Sequence, residues 1–264
     1  MALWACRSIG QLADALAWGY LKASVVPPVL EPVHLRYLRS GRAKQAPGQR
    51  GQWRIGPHVD ATRFGTGLTY DAFKASMTQN RERLEAAEAA VVIDPRDLEF
   101  FRALRPLSCV AVVEDWCGDV VANLPTVAVL AREVGPGMQL RCFIKADVPD
   151  LATRYLNHGR FESLPVFAFF DPDWNEVGVF IERPVAVTER REEDRRAVYA
   201  SDRAFGSPDA PASELPDDIR TRLMAEIQAR RTASTPWANR QVVVAIRDTI
   251  ARAPQVGERV PHTR

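Results

Sequence analysis

The residues best suited to chemistry in this sequence lie in VVEDWCGDVVANLP, residues 112–125. Cys117 offers a nucleophilic thiol, and Asp119 offers a carboxylate two residues later. An apolar run ends just before Cys117 and a helical pattern follows it, so we expect the thiol at the first turn of a helix. Unpaired backbone N–H groups and the positive end of the helix dipole favour the thiolate there, which is the reactive form of cysteine.

Three acids near the thiol oppose this activation. Glu114, Asp115 and Asp119 would each penalise a thiolate within a few ångström. Asp119 has two interpretations: it is a general acid or base, or it is a first-turn acid that interacts with the helix dipole. His158 is the only histidine near the proposed site. It is either a catalytic base for Cys117 or a solvated loop residue, and we expect the second because no third group is apparent that would orient it.

The elements that must position these residues alternate between strands and helices, which predicts an α/β layer fold. A helix with Pro95 at its start leads into the core, and Pro125 is expected to kink the helix after Cys117. The last two strands flank a turn at residues 172–175 and form an antiparallel hairpin. The predicted strands are 109–116, 139–146, 164–171 and 177–182, and the predicted helices between them are 118–134 and 150–159.

Segments on either side of this order divide the chain into three parts. Residues 1–67 are expected to hold an N-terminal helix and a basic flexible arm, with an Arg- and Gly-rich linker from 40 to 67. Residues 68–184 form the central domain, which begins with two short helices or one bent helix. Residues 185–264 form a charged helical extension with helices near 215–231 and 236–252, and its first charged run is interpreted as a solvated helix face.

Composition limits the classes of function. Hydrophobic residues make up 46% and charged residues 26% of the 264 residues, which is typical of a globular protein. No apolar run approaches the ~20 residues that span a bilayer, so no membrane role is expected. The net charge of +2 makes nucleic acid an unlikely partner, although residues 36–63 are basic. Neither a metal nor another cofactor is expected, and the cysteine spacing favours a reducing, cytoplasmic location.

The order of elements and four sequence features resemble the thioredoxin family from about Asp97 to Pro184. Trp116-Cys117-Gly118 stands at a strand–helix junction, and Pro125 follows the cysteine by eight residues. Ser163-Leu164-Pro165 directly precedes an apolar strand, and the closing hairpin follows. The resemblance implies a thioredoxin-like α/β fold, with a central mixed β-sheet flanked by helices. The extra N- and C-terminal helical segments predicted from the residues lie outside it. The sequence EDWCGD followed by NLP is similar to a bacterial branch of that family.

The resemblance also implies a substrate-binding surface. In that family the proline of this loop follows a cis peptide bond, and the residue before it offers its backbone to an extended substrate. The surface implied here consists of Trp116, Gly118, Ser163, Leu164 and Pro165. Trp116 keeps two interpretations, because it either contacts a partner and shields the thiol or caps the core.

Two departures from the family pattern concern the redox chemistry. The family motif is C-x-x-C, whereas Val120 stands at the second cysteine position, and Ala111 stands where thioredoxins place a buried acid. Cys109 and Cys142 are predicted to lie too far along their strands to form a disulfide with Cys117. Cys6 would reach it only by motion of the N-terminal segment. The dithiol mechanism of the family therefore does not transfer to this chain.

Two functions from different classes remain open. One is thiol–disulfide exchange through Cys117 alone, with a protein or small-molecule thiol or disulfide as partner. The other is a redox-inactive scaffold that binds a partner through the Trp116 and Pro165 surface. The helix-start position of Cys117 favours the first function, and the absence of a second cysteine at Val120 favours the other.

Overall fold

The computed structural model describes residues 59–252, which form eight α-helices, four short 3-10 helices and six strands within that range. The α-helices are α1 (Ala61–Thr66), α2 (Tyr70–Ser76), α3 (Arg81–Ala89), α4 (Pro95–Arg102), α5 (Gly118–Val134), α6 (Pro149–Arg154), α7 (Val185–Ser201) and α8 (Asp217–Ala251). The strands are β1 (Leu107–Val113), β2 (Met138–Ile144), β3 (Leu156–Asn157), β4 (Phe161–Glu162), β5 (Val166–Phe170) and β6 (Glu176–Ile181).

Four of the strands form a central mixed sheet in the order β2-β1-β5-β6. Strand β1 runs parallel to β2 and antiparallel to β5, and β5 pairs antiparallel with β6. A strand in the middle of a sheet that is covered on both faces is mostly apolar, and in β1, LSCVAVV, every residue except Ser108 is buried. The predicted fold class, a mixed α/β sheet flanked by helices with extra helices toward the C-terminus, is confirmed.

Helix α5 begins directly after Cys117 and is apolar around most of its circumference. It packs against α3, α4, α8 and β2, so it lies in the core instead of on the surface. Pro125 lies inside it, as expected, and the helix ends at Gly135, whose φ of 74° is left-handed. This burial fixes the helix start relative to the end of β1.

Some predicted boundaries were wrong because turns interrupt them. Strand β1 ends at Val113, so Glu114 to Trp116 belong to the loop before α5. The helix expected over 150–159 stops at Arg154, and the residues after it form the small hairpin β3–β4. His158 and Gly159 adopt φ values of 52° and 67° in its turn, which a helix does not allow.

The described part of the predicted N-terminal arm is folded. Helix α1 lies within it, and the buried side chains of Val59 and Phe64 belong to the main core. The Phe64 ring lies 5.4 Å from that of Trp174 in the β5–β6 turn. Residues 59–67, which were expected to belong to the linker, are therefore part of the folded domain. The predicted N-terminal helix, Cys6 and most of the basic arm lie outside the described residues.

Helix α8 replaces the two helices predicted over 215–231 and 236–252. It continues through Pro236, because its two halves are held by two different cores. Leu223 and Ile227 in the first half join a second, smaller cluster with Phe205 and Val198. The second half packs on α4 and β6, where Arg247 donates to the buried carboxylate of Asp97 at 2.8 Å. Within residues 59–252, no helix is long and apolar enough to cross a membrane.

The close approach of α8 to β6 at Gly178 gives the first prediction. A Cβ added at Gly178 would lie 2.7 Å from Cγ2 of Thr249, so Gly178→Ala is expected to lower the free energy of unfolding by about 1–3 kcal/mol. Thr249→Ser removes that methyl group and keeps the hydroxyl that donates to the Ala245 carbonyl. Urea unfolding should show that Gly178→Ala lowers the free energy of unfolding much less in the Thr249→Ser background than in the parent. An equal cost in both backgrounds would contradict this packing.

Candidate functional site

Cys117 is the N-cap residue of α5, where sequence analysis placed it. Its carbonyl accepts from the N–H of Val121 at 3.1 Å, and its own N–H donates to the carbonyl of Glu114 at 3.3 Å. The backbone before the helix is extended, with φ −81° and ψ 118°. The residue is only 6% exposed, so its thiol lies just under the surface at the positive end of the helix.

The loop before β5 lies directly against this thiol. The Leu164–Pro165 peptide bond is cis, which confirms the expectation for this position. Cys117 Sγ donates to the carbonyl oxygen of Leu164 at 3.7 Å. The Pro165 carbonyl accepts from the N–H of Glu182 at 2.7 Å, so the loop is tied to the end of β6. The structure thus brings Cys117 and the predicted Ser163-Leu164-Pro165 segment together.

The predicted substrate-binding residues differ in exposure. Trp116 keeps 38% of its surface exposed, and Gly118 beside the thiol is also exposed. Ser163, Leu164 and Pro165 are buried, and the segment contacts Cys117 through the backbone carbonyl of Leu164. Ser163 Oγ accepts from Nδ2 of Asn157 at 3.1 Å. A partner that approaches Cys117 would therefore meet an exposed indole ring on the side of the loop before α5.

Asp119 is buried and lies in the first turn of α5. Oδ1 of its carboxylate accepts from Nη1 of Arg191 at 3.0 Å, and Oδ2 lies 3.1 Å from Nη2 of Arg183. Both oxygens are thus held by guanidinium groups. Such contacts favour an electrostatic interpretation of Asp119 over that of a general acid or base.

A buried charged pair that was not expected from the sequence lies next to Asp119. Glu182 and Arg183 follow the end of β6, and Glu182 Oε1 lies 3.0 Å from Arg183 Nη2. Glu182 Oε2 accepts from Asn157 at 3.0 Å, and the Glu182 carbonyl accepts from Asn123 of α5 at 2.6 Å. The signal in the sequence was Glu-Arg-Pro directly after an apolar strand. The charged run after it was interpreted as a solvated face, yet its Arg191 contacts the site.

The other two acids near Cys117 are bound by neighbouring loops. Glu114 Oε1 accepts from the N–H of Ala146 at 3.0 Å. Asp115 Oδ2 accepts from the N–H and the hydroxyl of Thr78 and from the N–H of Gln79. Partial burial disfavours the charged form of Asp115, but these hydrogen bonds outweigh it and lower the pKa of the carboxyl group.

The remaining described cysteines are unsuited to reaction. Cys109 and Cys142 are completely buried, and burial raises the pKa of Cys109 well above its ordinary value and that of Cys142 to about 12. Val120 and Ala111 are also completely buried. Among residues 59–252, no group of three or more His, Cys, Asp or Glu side chains is arranged to hold a metal ion.

Comparison with known proteins supports the fold described above. Residues 67–195 match a family model described as Thioredoxin. This segment is thioredoxin-like. The match spans the sheet, α5, the cis-proline loop and the part of α7 that carries Arg191. The thioredoxin-like segment therefore includes every described residue of the site, whereas α8 lies beyond it.

Two solved structures that match this chain share little sequence with it. A protein of unknown function from Pseudomonas aeruginosa, known from a 1.5 Å crystal structure, is 19% identical and has a TM-score of 0.46. That likeness covers 65% of this chain and 98% of the other. An HIV epitope scaffold is 15% identical, with a TM-score of 0.47 and coverage of 74% and 99%. No curated protein matches the chain significantly.

The hydrogen bonds to Asp115 predict a pH-dependent contribution to stability. A carboxyl group whose pKa is lower in the folded state stabilises the fold above its unfolded pKa of about 3.9, and the effect is lost as the pH falls through the folded pKa. Thr78→Val removes one of these bonds, so its cost in the free energy of unfolding should be larger at pH 7 than at pH 3. Thr153→Val is the control, because the Thr153 hydroxyl donates to the Pro149 carbonyl, which does not titrate. A cost of Thr78→Val that is independent of pH would contradict the role of Asp115.

Proposed function

We propose that this protein carries out thiol–disulfide exchange through Cys117 by a monothiol mechanism. The observation that supports the proposal most is the position of the thiol at the start of α5, in contact with the carbonyl of Leu164 at the cis-proline loop. The helix start favours the thiolate, and the loop provides backbone beside the reacting sulfur. The partner is a protein or small-molecule disulfide.

The exchange proceeds in two substitution steps. In the first, the Cys117 thiolate attacks one sulfur of a disulfide, so that a mixed disulfide forms and the other sulfur leaves as a thiolate. In the second, the thiolate of a low-molecular-weight thiol such as glutathione attacks the substrate sulfur of the mixed disulfide. This step releases Cys117 as a thiolate and leaves a new disulfide between the substrate and the small thiol. The net reaction needs no electron carrier besides these thiols.

The surroundings of Cys117 support a mechanism that depends on an external thiol. Val120 offers no second sulfur, and Cys109 and Cys142 are buried in β1 and β2 with pKa values raised by burial. Asp119 acts in this proposal through its charge, since both of its oxygens are bound by arginines. Trp116 is the exposed side chain that a partner would contact first.

A redox-inactive scaffold is the second candidate function. It is favoured by the low exposure of Cys117 together with Val120 and Ala111 at the two positions where the family carries its resolving cysteine and its acid. In this alternative, the exposed Trp116 and the cis-proline loop bind a partner without reaction. The two functions differ in whether the sulfur of Cys117 forms a covalent bond.

Trapping of the mixed disulfide distinguishes the two functions. Incubation of the reduced protein with oxidised glutathione should add one glutathionyl group at Cys117, and peptide mass spectrometry should locate it. Reduced glutathione should then remove it. Cys117→Ser, with Cys6 replaced by Ser in both proteins, is the matched control and should gain no adduct. If the protein that retains Cys117 also gains no adduct there, the result favours the scaffold.

A gain-of-function variant tests the role of the missing cysteine. Residues three apart lie on the same side of a helix, so Val120→Cys should create a pair with Cys117 that closes an intramolecular disulfide. This variant should release glutathione from Cys117 without any added thiol, whereas the parent should keep the adduct. Val127→Cys makes the same substitution at a buried position of α5 about two turns further on and should behave like the parent. Retention of the adduct by Val120→Cys would contradict the proposed geometry.

A further inference from the structure

Four charged side chains form a buried cluster beside the start of α5, and one of them comes from the C-terminal extension. We call it the Asp119 cluster, and its members are Asp119, Glu182, Arg183 and Arg191. Asp119 belongs to α5, Glu182 and Arg183 follow β6, and Arg191 belongs to α7. The side chain of Arg191 is 23% exposed, whereas the other three are 4–8% exposed. The extension therefore places a cation at the redox site.

The formal charges of the cluster balance. Two carboxylates face two guanidinium groups, and each ion pair is between 3.0 and 3.1 Å long. Buried charges persist when they are paired and hydrogen-bonded, and Asn157 adds a further bond to Glu182. Loss of Arg191 would leave one net negative charge two residues after Cys117. Loss of the Asp119 charge would leave one net positive charge.

This balance bears on the thiolate of Cys117. An unpaired carboxylate in the first turn of α5 would oppose a second negative charge at the N-cap, because like charges in a poorly solvated site repel strongly. Arg191 and Arg183 bind both oxygens of Asp119, so the positive end of the helix remains available to the sulfur. Three other charged groups of the adjoining loops are bound elsewhere: Glu114 by Ala146, Asp115 by Thr78 and Gln79, and Lys145 by Glu162.

We propose that Arg191 is a positioning residue that controls the reactivity of Cys117 by neutralising Asp119. Arg191 acts through Asp119 and not by contact with a substrate. Helix α7 thereby gains a part in the redox site. The role of Arg191 in thiol–disulfide exchange rests on the proposed function. Asp119 and Arg191 are also expected to have opposite effects on the thiol, which neither a purely structural ion pair nor a general acid would produce.

The test is the pH dependence of Cys117 alkylation by iodoacetamide in full-length protein with Cys6, Cys109 and Cys142 replaced by Ser. Arg191→Gln should raise the midpoint by roughly half to one pH unit, and Asp119→Asn should lower it by a similar amount. The double variant should return close to the parent, because both charges of the pair are gone. Arg191→Lys should retain most of the parental behaviour, since it keeps the positive charge.

Arg196→Gln is the matched control on α7. It removes an arginine that pairs with Glu192 on the exposed side of the helix, and its midpoint should equal that of the parent. The inference is overturned if Arg191→Gln leaves the midpoint unchanged, or if the double variant stays as high as Arg191→Gln alone. If Arg191→Gln does not fold, the downward shift of Asp119→Asn decides, and its absence overturns the inference. The glutathione adduct tests exchange separately, so a shifted midpoint without an adduct would refute the proposed function and leave this inference intact.

Discussion

The burial of charge at the start of α5 is the constraint on which the rest of the site depends. Asp119 follows Cys117 by two residues and is removed from solvent, so its carboxylate requires partners inside the protein. Arg183 provides one at the end of β6, and Arg191 provides the other from α7. Glu182 then balances Arg183 and joins the cluster to Asn157 and, through it, to Ser163 of the cis-proline loop. The same bonds that satisfy the buried charges hold the loop near Cys117.

The C-terminal extension therefore belongs to the architecture of the site. Helix α7 begins at Val185, after the short segment 182–184 that follows β6, and its Arg191 reaches Asp119. Helix α8 binds the main core through Val242 and Ile246 and a second core through Leu223. The second core includes Val198 of α7, so α8 supports the helix that carries Arg191.

The central elements were predictable because each has a strong local signal. The apolar run of β1, the helix after Cys117 and the hairpin of β5 and β6 follow from periodicity and turn residues, and the cis bond at Pro165 followed from the family pattern. The hairpin β3–β4 was missed because residues 150–159 have a short apolar pattern that predicts a helix. The left-handed backbone of His158 and Gly159 forms a turn there instead. The continuity of α8 through Pro236 was missed because tertiary packing of its two halves outweighs the cost of a proline within a helix.

The site was predictable only in part, because some of its residues have no local signal in the sequence. Cys117, Trp116 and the Ser163-Leu164-Pro165 segment are marked by motifs, whereas Glu182, Arg183 and Arg191 have no motif and lie more than 60 residues from Cys117 in the sequence. A run of arginines and acids is most often a solvated helix face, and most of α7 conforms to that rule. Only the topology shows that Arg191 faces a buried carboxylate. Charge pairs between distant elements are not visible in local patterns.

The central claim is that the fold activates Cys117, and one rate comparison tests it most directly. The protein with Cys6, Cys109 and Cys142 replaced by Ser carries Cys117 as its single cysteine, and its alkylation by iodoacetamide at pH 7 is measured in the native state and in urea. The account predicts faster alkylation in the native state, because the helix start stabilises the thiolate despite its low exposure. Slower alkylation in the native state would mean that burial and the nearby acids silence the thiol, and this result would contradict the account.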